Sequence, residues 1–238
     1  MAKIRSPASG AGTRLVWDAP VRITHWLLLA SVIGSYVTHR LGAAGFRYHR
    51  WCGYTTLVLV TARIAWGLVG TRHARFASFV RGPVTVSRYL AGLVRGEPSR
   101  YAGHNPAGGW MVLLLLALLA AQAVTGLFAN DEISETGPLY GYVLNSTSNH
   151  LTAWHHRLFD ALVIAIALHV AAVLAYWLVK RTNLLRPMFS GRKPAAEVKA
   201  GAEIAGSRVW LWLMLIGVAS AALAWIILRA PDISLYVF

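Results

Sequence analysis

Two histidines, His155 and His169, stand fourteen residues apart in the otherwise apolar run HHRLFDALVIAIALHVAA. On a helix that spacing turns about 1400°, within ~40° of whole turns, and climbs about 21 Å. Both imidazoles then point to one side, one near each face of a membrane about 30 Å thick. A helix so arranged can hang two haems one above the other. His156 fails the same test, because thirteen residues leave it about 140° away from His169 around the helix. The plainer reading of each histidine is a hydrogen-bonded packing residue between helices. An ionisable side chain inside a membrane span is costly, however, and points to function.

The elements that must position these rings are apolar spans. The chain has 238 residues, 56% hydrophobic and 13% charged, with the apolar residues gathered into long runs. That pattern marks an all-α integral membrane protein. The net charge of +14 flanks the spans as topology signals do, so nucleic acid is not the expected partner. A single cysteine, Cys52, excludes an intrachain disulfide, haem attachment through a two-cysteine motif and a cysteine-ligated iron–sulfur cluster. A haem here has to be non-covalent and b-type. Residues 1–18 are polar and lack the apolar core of a cleavable signal peptide.

Five spans are expected, near residues 23–37, 51–69, 110–128, 152–179 and 209–228. Pro20 suits the first turn of the first helix, and Asn105 with Pro106 suits the start of the third. Residues 84–94, entered through Pro83, read as a short interfacial helix. The organisation is an arm (1–20), a four-helix domain (21–190), a basic linker (191–208) and a fifth transmembrane helix with a short tail (209–238). Arginines crowd residues 70–109, from Arg72 to Arg100, against the single acid Glu97. The loop 129–150 carries Asp131, Glu132 and Glu135 and no Lys or Arg. Positive-inside counting therefore puts the N-terminus in the cytoplasm and the C-terminus in the periplasm of a bacterial inner membrane. The loop with Arg40, Arg47 and Arg50 votes the other way and is outnumbered.

Sorting the histidines by depth gives two bis-histidine pairs, each taking one ligand from the fourth span. His25 faces His169 at the cytoplasmic side, and His49 faces His155 at the periplasmic side. His39 competes with His49, since it follows His25 by fourteen residues. Spacing leaves that choice open. His73, His104 and His150 fall in loops, where solvation is the ordinary expectation. Arg63, inside the second span, either pairs the propionates of the cytoplasmic haem or snorkels to the interface. Gly34, Gly53, Gly67 and Gly126 leave room for a macrocycle or for close helix packing.

These residues also resemble a family. WDAPVRITHWLL, HRWCGYTTLVLVTARIAWGLVG, GHNPAGGWMVLLLL and HHRLFDALVIAIALHVAAVL resemble the four spans of the bacterial cytochrome b561 family. That family includes the b-type cytochrome subunits of nickel–iron hydrogenases. The resemblance runs from about Val16 to Lys193. It implies a four-helix core with two b haems, and it favours His49 over His39 through the Gly53–Tyr54 that follows. His156 departs from the acidic residue often found there, and the fifth span lies outside the resemblance.

The expected function is electron transfer between the quinone pool and a redox partner. The partner is either a periplasmic c-type cytochrome, drawn by the acidic loop, or a dehydrogenase or hydrogenase subunit. Bis-histidine iron keeps no open position for gas. The alternative is a stand-alone quinone-linked oxidoreductase acting on a small periplasmic substrate such as superoxide. A third class is a haem-free transporter or scaffold with a histidine proton relay. Whether the chain is an enzyme or a carrier, where a quinone binds, and whether it forms a homo-oligomer are left open by the sequence.

Overall fold

The computed structural model describes residues 12–97, 101–133 and 135–231. The first eleven residues of the N-terminal arm, Arg100 and the tail beyond Pro231 lie outside the described residues. The chain forms eight α-helices among those described. They are α1 (Ala19–Arg40), α2 (Ala43–Val69), α3 (Phe76–Phe79), α4 (Pro83–Val94), α5 (Pro106–Leu127), α6 (Asn145–Leu178), α7 (Leu185–Ser190) and α8 (Val209–Leu228).

Four of these, α2, α5, α6 and α8, are long and apolar enough to cross a membrane. α1 has a matching length of 22 residues but a more polar sequence. Part of that polarity is spent on its neighbour. Ser31 Oγ donates to the Cys52 carbonyl at 2.7 Å and meets Thr56 Oγ1 at 2.8 Å. Gly34 lies opposite Cys52, whose sulfur would be 2.9 Å from a Cβ placed there. Small residues and hydroxyls thus let α1 and α2 approach closely.

The helix starts follow from the sequence. The buried Asp18 carboxylate caps α1, accepting from the Val21 amide at 2.7 Å, with Pro20 in the first turn. Asn105 caps α5 through the Gly108 amide at 2.7 Å, followed by Pro106. Each cap satisfies an amide that the helix leaves without an internal partner. α6 starts earlier than the apolar run, at Asn145, and its 34 residues make it about 51 Å long.

α1 packs on α2, α2 on α5 and α5 on α6, while α8 lies mainly on α2. Val60, Leu116, Leu119 and Leu162 form the centre, with Leu28 and Val32 packed against them. Outer faces are strongly apolar; Leu168, Trp210 and Met214 are all exposed. Such a surface suits hydrocarbon and not water.

The segment expected as a basic linker is itself folded. β2 (Arg192–Pro194) pairs antiparallel with β1 (Thr13–Leu15). Gly191 accepts from the amides of Val16 and Trp17, and Leu15 from that of Ile204. Val16, Trp17, Val21, Trp66, Ala74, Val198 and Trp212 make a second core there. This cap joins the chain start, the 70–79 loop and the foot of α8 across one end of the bundle. Nothing in hydropathy patterning signals it, because strands of three residues carry no usable period.

Candidate functional site: two facing histidine pairs

The fold brings together all four histidines expected to act as ligands. His25 on α1 and His169 on α6 face each other at the cap end, with ring centroids 6.4 Å apart. His49 on α2 and His155 on α6 do so at the other end, at 6.3 Å. Imidazole nitrogens bind metals at roughly 2 Å. Adding a ring radius of ~1.1 Å on each side, two imidazoles sharing one metal place their centroids about 6 Å apart. Both pairs meet that requirement.

His39 also comes close to His49, with centroids 5.9 Å apart, but it is exposed. The rings of the His49–His155 pair are held from behind. His49 Nδ1 lies 2.9 Å from the Ser35 carbonyl of α1, and His155 Nδ1 lies 2.9 Å from the Gln122 carbonyl of α5. An Nδ1–H donating to a carbonyl fixes the tautomer and leaves Nε2 as the basic nitrogen. The side-chain amide of Gln122 donates to His155 Nε2 at 3.1 Å, using the lone pair that a metal would use.

Gly126 completes this seat, since a Cβ there would lie 2.9 Å from His155 Cε1. Gly126 was legible in the sequence as a space-giving residue. The Gln122 contribution was not, although an amide inside an apolar span is itself a signal.

Arg63 is 6% exposed. It donates to the Ala74 carbonyl at 3.3 Å and lies over the Phe76 ring, turned into the cap rather than out to the surface. The expectation of a solvated His104 fails. Its ring is wedged between Trp17 and Phe79, at centroid distances of 4.6 and 4.5 Å. The aromatic cap core covers what the sequence shows only as loop. His73 is likewise partly covered, with Nε2 2.6 Å from the Ala202 carbonyl.

The donor set fits a haem. Among the described residues no group of three or more His, Cys, Asp or Glu side chains could hold a bare metal ion. Two facing imidazoles suffice only for a metal that brings its own equatorial nitrogens, as a porphyrin does. Several buried polar atoms have no hydrogen-bond partner. They include Arg22 Nε, Thr24 Oγ1 and His25 Nδ1 on α1, His104 Nδ1 in the cap, and Gln122 Oε1 next to His155.

Opposed imidazoles between apolar helices, in a chain with one cysteine, define the class: a membrane protein built for b-type haem. The chain belongs to the prokaryotic cytochrome b561 family, whose family model matches residues 16–191. It is thus a multi-pass membrane protein of electron transfer through b-type haem. Relatives carry the name "Probable Ni/Fe-hydrogenase B-type cytochrome subunit". That of Bradyrhizobium diazoefficiens is 29% identical over 220 residues, covering 78% of this chain and 88% of the relative. That of Cupriavidus necator is 25% identical over 208 residues, covering 74% and 85%. That of Rhodobacter capsulatus is 26% identical over 212 residues, covering 75% and 80%. No solved structure matches the chain.

Proposed function

We propose that the chain is a two-haem b cytochrome relaying electrons between the quinone pool and a partner redox subunit. The observation that carries this reading is the recurrence of one geometry. Two histidine pairs, at 6.4 and 6.3 Å, share α6 and are separated by fourteen residues of it. His25 and His169 would hold one iron, and His49 and His155 the other. A bound haem iron would supply one-electron oxidation and reduction, and a histidine from each side would leave it no open position for gas.

The Ser35 and Gln122 carbonyls fix the orientation of the His49 and His155 rings, and all four histidines are half-buried. The backing of His49 by Ser35 and the exposure of His39 favour His49 as the ligand. In this reading α1 is a fifth span beside the four apolar ones. The cap lies in the cytoplasm, and the α5–α6 loop and the C-terminus lie in the periplasm of a bacterial inner membrane. The names of the relatives make a Ni/Fe hydrogenase the favoured partner.

Haem stoichiometry tests it, by pyridine haemochrome on purified wild type, His49→Ala and His39→Ala. Two b haems in the wild type, with one lost only in His49→Ala, is the expected result. Loss only in His39→Ala moves the periplasmic site onto α1. A haem-free wild type, with haem supplied during expression, overturns the relay.

A further inference from the structure

Among the described residues, the buried charged side chains are Asp18, Arg63 and Lys193. All three lie in or against the cap. Asp18, the sole acid, is already committed. Its carboxylate accepts from the Val21 amide at 2.7 Å, from Trp66 Nε1 at 3.0 Å and from Thr71 Oγ1. Its charge reaches Arg63, but the two form no ion pair. Lys193 is 6% exposed and donates to the Tyr101 carbonyl at 3.1 Å. Glu197 is the acid whose charge reaches Lys193; it is exposed and forms no ion pair with it. The cap therefore buries two cations against one acid, an arrangement that is costly unless an anion completes it.

His104 shares the cap with these cations: its ring packs on Phe79, which meets Phe76, the ring under Arg63, and Lys193 donates to the carbonyl of Tyr101, three residues before it. Burial pushes its imidazole down to about 3, and the cations Arg63 and Lys193 act in the same direction. Its Nδ1 is buried and has no partner. A neutral imidazole can still donate one N–H. Trp17, which packs on the His104 ring at 4.6 Å, shares a core with Val21, one turn before His25 on α1, so this cluster lies at the cap-end histidine pair.

We propose that Arg63, His104 and Lys193 form the carboxylate-binding site for the propionates of the haem held by His25 and His169. The proposal rests on the two-haem reading above and extends it to residues outside the spans. His104 donates a hydrogen bond to a carboxylate, and Arg63 and Lys193 supply its counter-charge. Trp17 and Phe79 hold the His104 ring, so the cap encloses this haem's polar edge. Charge-assisted hydrogen bonds of this kind exceed neutral ones in strength.

Redox titration of the purified protein resolves the test, with each potential assigned by His169→Ala and His155→Ala. His104→Leu and Lys193→Met should each move the potential of the cap-end haem to more negative values. A less compensated carboxylate disfavours the added electron. The other potential should stay in place, with two haems still bound. His104→Gln, which keeps an N–H donor, should restore most of the shift. If both potentials stay unchanged in His104→Leu and Lys193→Met while two haems remain, the site is wrong and the relay stands. An equal shift of both potentials likewise overturns it. Absence of haem from the wild-type His25–His169 pair overturns the two-haem reading itself. His104→Gln also guards against a folding failure of His104→Leu, since haem content and thermal stability are read on the same sample.

Discussion

His49 and His155 face each other at 6.3 Å, and each is tethered through Nδ1 to a carbonyl of a neighbouring helix, Ser35 on α1 and Gln122 on α5. Four helices thus set the orientation of one pair of rings. In the pair His25–His169 the corresponding His25 Nδ1 has no partner. A tethered imidazole is the more basic ligand. The two sites therefore differ in ring support as well as in surroundings.

The first prediction separates them. His155→Ala and His169→Ala should each halve the haem content, and each should remove a different absorbance and redox component. Quantitative haemochrome assay with a redox titration checks this. A variant that loses both haems would show that the sites fold as one unit.

Gly126 gives a steric test. A Cβ at this position would lie 2.9 Å from His155 Cε1, so Gly126→Ala must displace the ring by a few tenths of an ångström. In an exposed helix the same change stabilises by about 1 kcal/mol. Here it should instead tilt the ligand and shift the low-spin electron paramagnetic resonance signal of one haem. Gly126→Val should release that haem altogether and spare the other. An unchanged spectrum in both variants would mean that His155 does not ligate.

Asp18 tests the cap. Replacement by Ala leaves the Val21 amide, Trp66 Nε1 and Thr71 Oγ1 without their acceptor. Stranding buried donors costs about 1–3 kcal/mol each, so thermal unfolding in detergent should show a loss of several degrees or more. Asp18→Asn keeps one acceptor oxygen and should fall between wild type and Asp18→Ala.

Gly191 tests the clasp between β1 and β2. It sits at φ +77°, and a Cβ there would be 2.6 Å from the Trp17 carbonyl. A side chain in this left-handed region costs roughly 1–2 kcal/mol before any clash. Gly191→Val should raise hydrogen exchange and protease cutting in residues 192–204. The His49–His155 haem should be untouched.

How much of this was visible in the sequence differs by element. The fourteen-residue step from His155 to His169 fixes both ring direction and depth, because helix geometry is regular. The starts of α1 and α5 were legible because Pro20, Asn105 and Pro106 act locally. The start of α6 was not, since seven polar-flanked residues before Thr152 continue the helix beyond its apolar run. The cap escaped notice for a different reason. Its contacts join Leu15 to Ile204 and Trp17 to Gly191, pairings too distant along the chain for any local pattern. The covering of His104 is hidden in the sequence for the same cause, because the rings that cover it arrive from residues 17 and 79.

One helix carries a ring of both pairs, so the interval between them is a covalent length. Tilting α1, α2 or α5 can turn a ring, change its hydrogen bond or alter its burial, but it cannot stretch α6. In the proposed relay, hop distance and driving force then vary independently. Mutational drift in the surrounding helices tunes the energy of each station, while the rise of about 21 Å along α6 keeps the stations in place. A single-residue insertion between His155 and His169 would break that independence, swinging one ring about 100° out of line.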